Sequence, residues 1–194
     1  MLAQAEPRAD AAGGVVATLG RRDGRALMVR AVTAADVDGL DALFQGLSDY
    51  DRYHRFFSLR PPARQFVEQM TRAQDEGGYR LVAVASGPED ALVAEAGYAI
   101  LPDGDGEFAL AVAPGWRGCR LGRYLLDAIV AAAAARGVLN LQADIMLGNA
   151  PMLALVRDRG HITLHRDEFS DMRIAIDAAQ PARRRQRADT RAAA

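Results

Sequence analysis

The stretch that decides the fold joins a strand to a helix through a loop rich in glycine and arginine. It reads Ala111-Val112-Ala113-Pro114-Gly115-Trp116-Arg117-Gly118-Cys119-Arg120-Leu121-Gly122-Arg123. Pro114 ends the strand, because proline has no N–H to donate within a sheet, and a helix is predicted over residues 121–136. Helix N-termini and curled glycine loops present N–H groups to anions, and arginine adds forked donors that fit phosphate. The sequence therefore predicts a pyrophosphate site in residues 114–123, which we call the Gly-Arg segment.

The Gly-Arg segment does not match two common phosphate-binding patterns. The dinucleotide pattern G-x-G-x-x-G is absent, and the P-loop pattern cannot occur because the chain contains no lysine. The run Arg117-Gly118-Cys119-Arg120-Leu121-Gly122 instead resembles the acyl-CoA loop of the GCN5-related N-acetyltransferases, the GNAT family, written Q/R-x-x-G-x-G/A. One position departs from that pattern, because Arg120 stands where the family usually has glycine.

The residues that follow the Gly-Arg segment also resemble the GNAT order of elements. Gly137 fits a helix C-terminus, and residues 139–147 alternate apolar and polar side chains as a strand does. Asn149 fits the N-cap of a second helix that ends before Gly160, and an Asn-x-x-Met start is typical of the family. The resemblance implies an α/β (α+β) GNAT fold, with a central mixed, mostly antiparallel sheet flanked by helices.

The first half of the chain adds further elements to this sheet. Helices are predicted after Thr33, which forms a capping box with Asp36, and after Pro61 and Pro62. Strands are predicted over residues 26–32, 80–86, 91–101 and 107–112. We expect a mobile leader over residues 1–25, an acetyltransferase domain over 26–178 and a disordered, arginine-rich tail over 179–194.

The strand over residues 107–112 carries the candidate catalytic group. Its bulky side chains share one face, while Glu107 leads the other face, where only alanines follow. Amine acetylation needs a base, because a lysine ammonium is almost fully protonated at neutral pH, and a partly buried glutamate with a raised pKa supplies one. From the pattern alone, a solvated carboxylate at a strand entrance explains Glu107 equally well.

The same strand resembles that of bacterial Pat-type protein lysine acetyltransferases, in which the matching glutamate is the general base. Residues 48–58 are similar to the first-helix segment of those enzymes, often S-x-x-S-R-Y-x-R-F, and residues 149–152 also match. The resemblance covers residues 27–177 and implies that Glu107 is catalytic. The acetyl-CoA-binding residues that it implies are Leu110, Ala111, Val112, Arg117, Gly118, Cys119, Arg120, Leu121, Gly122, Arg123 and Asn149.

Other candidate groups receive structural interpretations. Val156 occupies the position where many family members have a tyrosine acid, so water is expected to protonate the CoA thiolate. The histidines at 54, 161 and 165 lack metal-ligand spacing and are interpreted as non-catalytic, and no metal is expected. Trp116 either packs on the helix or stacks on adenine. Arg52 and Arg55 belong either to an acceptor groove or to a solvated face.

Composition places these features in an expected cellular setting. The net charge of −1 gives no field that favours nucleic acid or membranes, and 50% of the residues are hydrophobic, enough for a core. One cysteine and the absence of a signal sequence favour a cytoplasmic protein, as monomer or homodimer. We expect an N-acetyltransferase, an acyltransferase that uses acetyl-CoA as co-substrate, with protein lysine as the preferred acceptor. A small-molecule amine acceptor and a non-catalytic acyl-CoA sensor are the alternatives.

Overall fold

The computed structural model describes residues 17–20, 26–87, 90–157, 161–164 and 172–178, and these form one eight-stranded sheet with five α-helices. The strands are β1 (Ala17–Gly20), β2 (Ala26–Ala31), β3 (Tyr79–Ala85), β4 (Ala91–Ile100), β5 (Gly106–Val112), β6 (Asn140–Ile145), β7 (His161–Leu164) and β8 (Met172–Asp177). The helices are α1 (Val37–Gln45), α2 (Asp49–Phe56), α3 (Arg64–Thr71), α4 (Leu121–Ala135) and α5 (Ala150–Val156). Short 3₁₀ turns cover Ala34–Asp36, Ala73–Glu76 and Pro114–Trp116.

The sheet has the strand order β1-β2-β3-β4-β5-β6-β8-β7, and its strands pair antiparallel except at one place. Strands β5 and β6 are parallel and pair only at Gly106 with Leu141 and at Glu107 with Gln142. Beyond Glu107 the two strands separate, so the sheet splits towards their C-terminal ends. The prediction of a mixed, mostly antiparallel sheet flanked by helices is confirmed.

Two apolar clusters cover the two faces of the sheet. On one face, Leu121, Leu125 and Ile129 of α4 pack with Phe108 of β5, and all four are buried. On the other face, residues of α1 and α3 such as Phe44 pack with Val82, Val84 and Ala111. Full burial of a large apolar side chain stabilises the fold by about 1.5–3 kcal/mol. The alternation predicted for β5 is confirmed, because the bulky residues and Ala111 lie in different clusters.

The helix after the Gly-Arg segment matches its prediction closely. Helix α4 is 15 residues long, and Gly137 just beyond it has a left-handed φ of +79°, which glycine adopts without strain. Eight of its residues are buried, so its alanine-rich sequence is explained by packing on the sheet. In the part of the chain that the structure describes, no helix has both the length and the apolar character needed to cross a lipid bilayer.

The prediction of a mobile leader over residues 1–25 is wrong for residues 17–20. Residues 17–20 form β1, which pairs antiparallel with β2, and Leu19 is buried in the core. An isolated four-residue strand shows too little periodicity to be found by pattern, and its partner strand stabilises it. The rest of the leader, the expected tail from residue 179 onward and His165 lie outside the described residues.

Candidate active site

A cavity of about 420 Å³ lies where β5 and β6 separate. Its walls come from the end of β5, the Gly-Arg segment with the first turn of α4, the start of α5, and α2. Ten of the eleven residues predicted to bind acetyl-CoA line it, namely Leu110, Ala111, Val112, Arg117, Gly118, Arg120, Leu121, Gly122, Arg123 and Asn149. Segments far apart in sequence therefore meet at one cavity.

The eleventh residue, Cys119, is not among the residues that line this cavity. It is 6% exposed, and its Sγ donates to the carbonyl oxygen of Trp116 at 2.9 Å. The thiol thus stabilises the underside of the Gly-Arg segment. Trp116 is itself buried in the apolar cluster that contains α4, and it also lines the cavity.

The backbone of the Gly-Arg segment has the features of an anion site. Gly118 and Arg120 both have a left-handed φ of 71°, which curls the chain immediately before α4. Within the described part of the chain, the N–H groups of residues 118–123 have no backbone acceptor, and no side chain caps the helix. These N–H groups lie at the positive end of the α4 dipole, where phosphate binds favourably. The exposed side chains of Arg120 and Arg123 add positive charge.

Arg117 is held by the protein itself. Its Nη2 lies 2.8 Å from the Asp51 carboxylate on α2, and its Nε donates to the Val112 carbonyl at 3.2 Å. Burial favours the protonated form of Asp51, but hydrogen bonds from Arg117 and Ser48 outweigh it, and the pKa of Asp51 falls below its ordinary value. Arg117 therefore ties α2 to the Gly-Arg segment in addition to lining the cavity.

The loop between β6 and α5 forms the opposite wall. Asn149 is the N-cap of α5, because its side chain accepts from the Met152 N–H at 3.2 Å, and this prediction is confirmed. Gly148 just before it accepts a hydrogen bond from the Tyr50 hydroxyl of α2. Val156, at the position of the family's tyrosine acid, is fully buried. No proton donor replaces that tyrosine at this position.

Glu107 lies at the narrow end of the split, in the last residue pair that joins β5 to β6. Its side chain is exposed, rather than partly buried as the base argument requires, and it is not among the residues that line the cavity. It is on the same sheet face as Ala111, which does line the cavity, four residues further along β5. An acceptor that approaches from solvent can reach Glu107 directly.

Sequence reasoning offered Arg55 of helix α2 as a candidate for a groove, but it missed the other contributions of this helix. Tyr50, Asp51, His54 and Arg55 all line the cavity. The Nδ1 of His54 lies 2.7 Å from the Tyr50 carbonyl oxygen, which only accepts, so Nδ1 donates this hydrogen bond, while Nε2 faces Gly148. The signal was present in residues 48–58, but a helix pattern does not reveal which distant segment its polar face will contact.

No group of three or more His, Cys, Asp or Glu side chains in the described residues has the arrangement of a metal site. The donors around the cavity are N–H groups and arginines, and these fit an anionic co-substrate. The fold and the cavity together thus define an α/β protein with a loop of unpaired N–H groups and arginines, suited to an anion, at a split between parallel strands.

Comparison with known proteins identifies the family. The model of the acetyltransferase (GNAT) family matches residues 40–161, more than half of the chain, and the protein belongs to this family. Membership supports acetyl-CoA-dependent N-acetyl transfer in general. No curated protein matches the chain.

Solved structures share the fold. The GNAT domain of S. lividans PAT is 23% identical, with a TM-score of 0.74, over 88% of this chain and 99% of that chain. The putative acetyltransferase YncA of Salmonella typhimurium, solved with acetyl-CoA, is 17% identical with a TM-score of 0.60, over 78% and 94%. The PaiA N-acetyltransferase of Thermoplasma acidophilum, solved with coenzyme A, is 14% identical with a TM-score of 0.63, over 78% and 98%.

Proposed function

We propose that this protein transfers the acetyl group of acetyl-CoA to the ε-amine of lysine in a protein substrate, and that Glu107 is the general base. The observation that carries the proposal is the cavity at the split between β5 and β6, with the free N–H groups of the Gly-Arg segment in its wall. The likeness to the GNAT domain of S. lividans PAT, together with the Pat-like sequence around Glu107, supports a protein acceptor. The alternative acceptor is a small-molecule amine.

Each step of the transfer has a candidate group in this chain. The N–H groups of residues 118–123 bind the pyrophosphate, and the end of β5 lies along the pantetheine. Glu107 removes the proton that keeps the amine from attacking the thioester, directly or through water. Backbone N–H groups of β5 stabilise the negative charge that develops on the carbonyl oxygen. Because Val156 is apolar, the CoA thiolate takes its proton from water.

Co-substrate binding is tested at Gly122, which lines the cavity. A Cβ there would lie 3.8–3.9 Å from Val112, Leu110 and Leu155, an ordinary contact distance, so alanine fits. Gly122→Asp adds a negative charge beside the phosphates and should weaken acetyl-CoA binding strongly, whereas Gly122→Asn of nearly equal size should weaken it less. Calorimetric titration measures both. Equal affinity of the Asp and Asn variants would remove the phosphate assignment.

The base is tested with Glu107→Gln, which keeps shape and loses basicity. Turnover should fall about 10²–10⁴-fold, the usual contribution of a positioned base, with acetyl-CoA affinity almost unchanged. The variant should recover partly at high pH, where free amine is plentiful.

His54→Gln is the comparison variant for the base, because His54 lines the cavity, which Glu107 does not, and an imidazole can accept a proton. Near-normal turnover of Glu107→Gln with an inactive His54→Gln would transfer the role to His54. An acyl-CoA sensor needs neither group, so it would bind acetyl-CoA without turnover on any protein or amine. Mass-spectrometric mapping of acetylation on a panel of proteins identifies the acceptor.

A further inference from the structure

A buried carboxylate with two arginines lies beside the cavity. Glu95 of β4 is completely buried, and its carboxylate accepts from the Nε of Arg55 at 2.9 Å and from the guanidinium of Arg80. The side chains of Arg55 and Arg80 are only 11% and 8% exposed. We call these three residues the Arg/Glu cluster.

The charges of the Arg/Glu cluster do not balance. Arginine keeps its proton in proteins, so two positive charges face one negative charge. No other carboxylate in the described residues forms an ion pair with Arg55 or Arg80, and the Nε of Arg80 is buried without an acceptor. Burial lowers the pKa of Arg80, attraction by Glu95 opposes this, and repulsion by Arg55 adds to it. A desolvated excess charge is costly unless an anion joins it.

The Arg/Glu cluster opens onto the cavity through Arg55. Arg55 lines the cavity together with Ala111, the residue that pairs with Glu95 across β4 and β5. Its guanidinium lies 4.6 Å from the ring centroid of Phe56, which fixes its position. Nε is used by Glu95, while Nη1 and Nη2 have no acceptor among the residues that the structure describes. Two directed donors are thus available to a ligand.

The position of the cluster indicates which part of a ligand it meets. Ala111 and Glu95 belong to the sheet face covered by α1 to α3, whereas the Gly-Arg segment leads into α4 on the opposite face. Glu107 shares the face of the cluster, about 13 Å from Ala111 along β5 at roughly 3.3 Å per residue. Only small residues lie between them on this face, namely Ala109 of β5 and its partner Gly97 of β4. The cluster therefore faces the reacting end of the substrates.

We propose that the Arg/Glu cluster binds a carboxylate carried by a substrate, at the end of the acyl chain of the donor or beside the amine of the acceptor. This inference rests on the proposed acyl transfer from a CoA thioester. It replaces either the acetyl group by an acyl group that ends in a carboxylate, or the protein lysine by an amine that carries its own carboxylate. Arginine donors hold a carboxylate in a fixed orientation through paired hydrogen bonds. The carboxylate also cancels the excess charge of the cluster, so an uncharged substrate of the same size is disfavoured.

The donor arm of the test compares CoA, butyryl-CoA and succinyl-CoA by calorimetric titration. Both acyl groups have four carbons, and only succinyl ends in a carboxylate. If the carboxylate belongs to the donor, succinyl-CoA should bind about 10-fold or more tightly than butyryl-CoA, the effect expected of a charge-assisted hydrogen bond. Arg55→Met, which leaves Glu95 paired with Arg80, should remove this preference, and Arg55→Lys should keep part of it.

The acceptor arm uses lysine and β-alanine, each assayed as the free acid and as the carboxamide. If the carboxylate belongs to the acceptor, kcat/KM should be about 10-fold higher for the free acids than for the carboxamides, and Arg55→Met should remove that preference. Arg72→Met, which removes an exposed arginine outside the cavity, is the control and should leave both ratios unchanged.

The outcomes distinguish a failure of the carboxylate site from a failure of the proposed acyl transfer. A wild-type protein that binds CoA ligands but discriminates in neither arm overturns the carboxylate site and leaves the acyltransfer proposal standing. A preference that Arg55→Met leaves intact also overturns the carboxylate site alone. The same holds if Arg55→Met lowers the affinity for all CoA ligands equally, which would assign Arg55 to the phosphates. A wild-type protein that binds no CoA ligand overturns both proposals.

Discussion

At the scale of single residues, the most unusual feature is the backbone of Arg120. Its φ of +71° is left-handed, a conformation that costs a non-glycine residue about 1–2 kcal/mol. The family pattern has glycine here, and the structure gives the physical reason, because the chain must curl before α4 begins. The strain lies directly in the proposed phosphate site, where Arg120 also supplies a charge.

We expect Arg120→Gly to stabilise the fold by about 1 kcal/mol, since relief of strain exceeds the entropy that glycine loses on folding. Thermal unfolding should show a rise in Tm of about 2–4 °C. Arg123→Gly, inside α4, is the control and should destabilise by a similar amount, because glycine is a poor helix former. Arg120→Ala keeps the strain and loses the charge. If Arg120→Gly and Arg120→Ala have the same Tm, the backbone is not strained.

At the scale of elements, Asp36 joins β2 to α1. Its carboxylate accepts from Arg30 at 2.6 and 2.7 Å and from the Thr33 N–H at 2.7 Å. Burial raises the pKa of Asp36, but the hydrogen bonds from Arg30 and Thr33 lower it by a larger amount. The pKa of Asp36 therefore lies below its ordinary value. A lowered carboxyl pKa stabilises the fold above the unfolded pKa, and this contribution is lost as pH falls through the folded pKa.

Asp36→Asn should therefore lower the free energy of unfolding by about 2 kcal/mol at pH 7, the scale of hydrogen bonds to a charged group. The difference between wild type and variant should shrink as pH falls below about 4, because the unfolded carboxyl then takes up a proton that the folded carboxylate, with its lowered pKa, does not yet bind. Urea unfolding at a series of pH values measures both quantities. A difference that does not change with pH would assign the loss to packing instead.

The pairing of β3 with β4 depends on Gly97. A Cβ at this position would lie 2.6 Å from the carbonyl oxygen of Tyr79 and 2.9 Å from the Cα of Arg80, both backbone atoms that cannot rotate away. Gly97→Ala should destabilise by about 1–3 kcal/mol, as overpacking does. Gly87→Ala, where nothing lies within 4 Å, is the control and should be nearly neutral. If Gly97→Ala changes the free energy of unfolding as little as Gly87→Ala does, then β3 and β4 can move apart at this position without loss of stability.

At the scale of the whole molecule, the composition makes a prediction about the activity. Lysine and arginine together number 24, and all of them are arginine. If the enzyme acetylates lysine, its own side chains offer no such acceptor. Incubation with labelled acetyl-CoA should leave no side-chain lysine acetylation, and any stable label should map by mass spectrometry to the N-terminus. Label on the Cys119 thiol would contradict the structure, in which this side chain is buried.

Local physics explains why much of this fold can be predicted from the sequence. The helix caps at Asn149 and Gly137, the turn before β5 and the curl of the Gly-Arg segment depend on residues a few positions apart. The alternation in β5 and β6 gives their faces, although Leu139 and Leu147, at the predicted ends of β6, are exposed. Ten of the eleven predicted binding residues lie in such local patterns, and for that reason they line the cavity.

The sequence by itself determined the family and most of the elements from β2 to α5, and it predicted the phosphate-binding segment, because each of these depends on neighbouring residues. Tertiary structure alone decided that α2 closes the cavity, through Tyr50 and Gly148, which lie 98 positions apart. It also decided that Arg55 meets Glu95, 40 positions away, and that Glu107 is exposed at the end of the split. The physical reason is that side-chain burial and ion pairing depend on which surfaces pack together, and that choice is made by the whole chain.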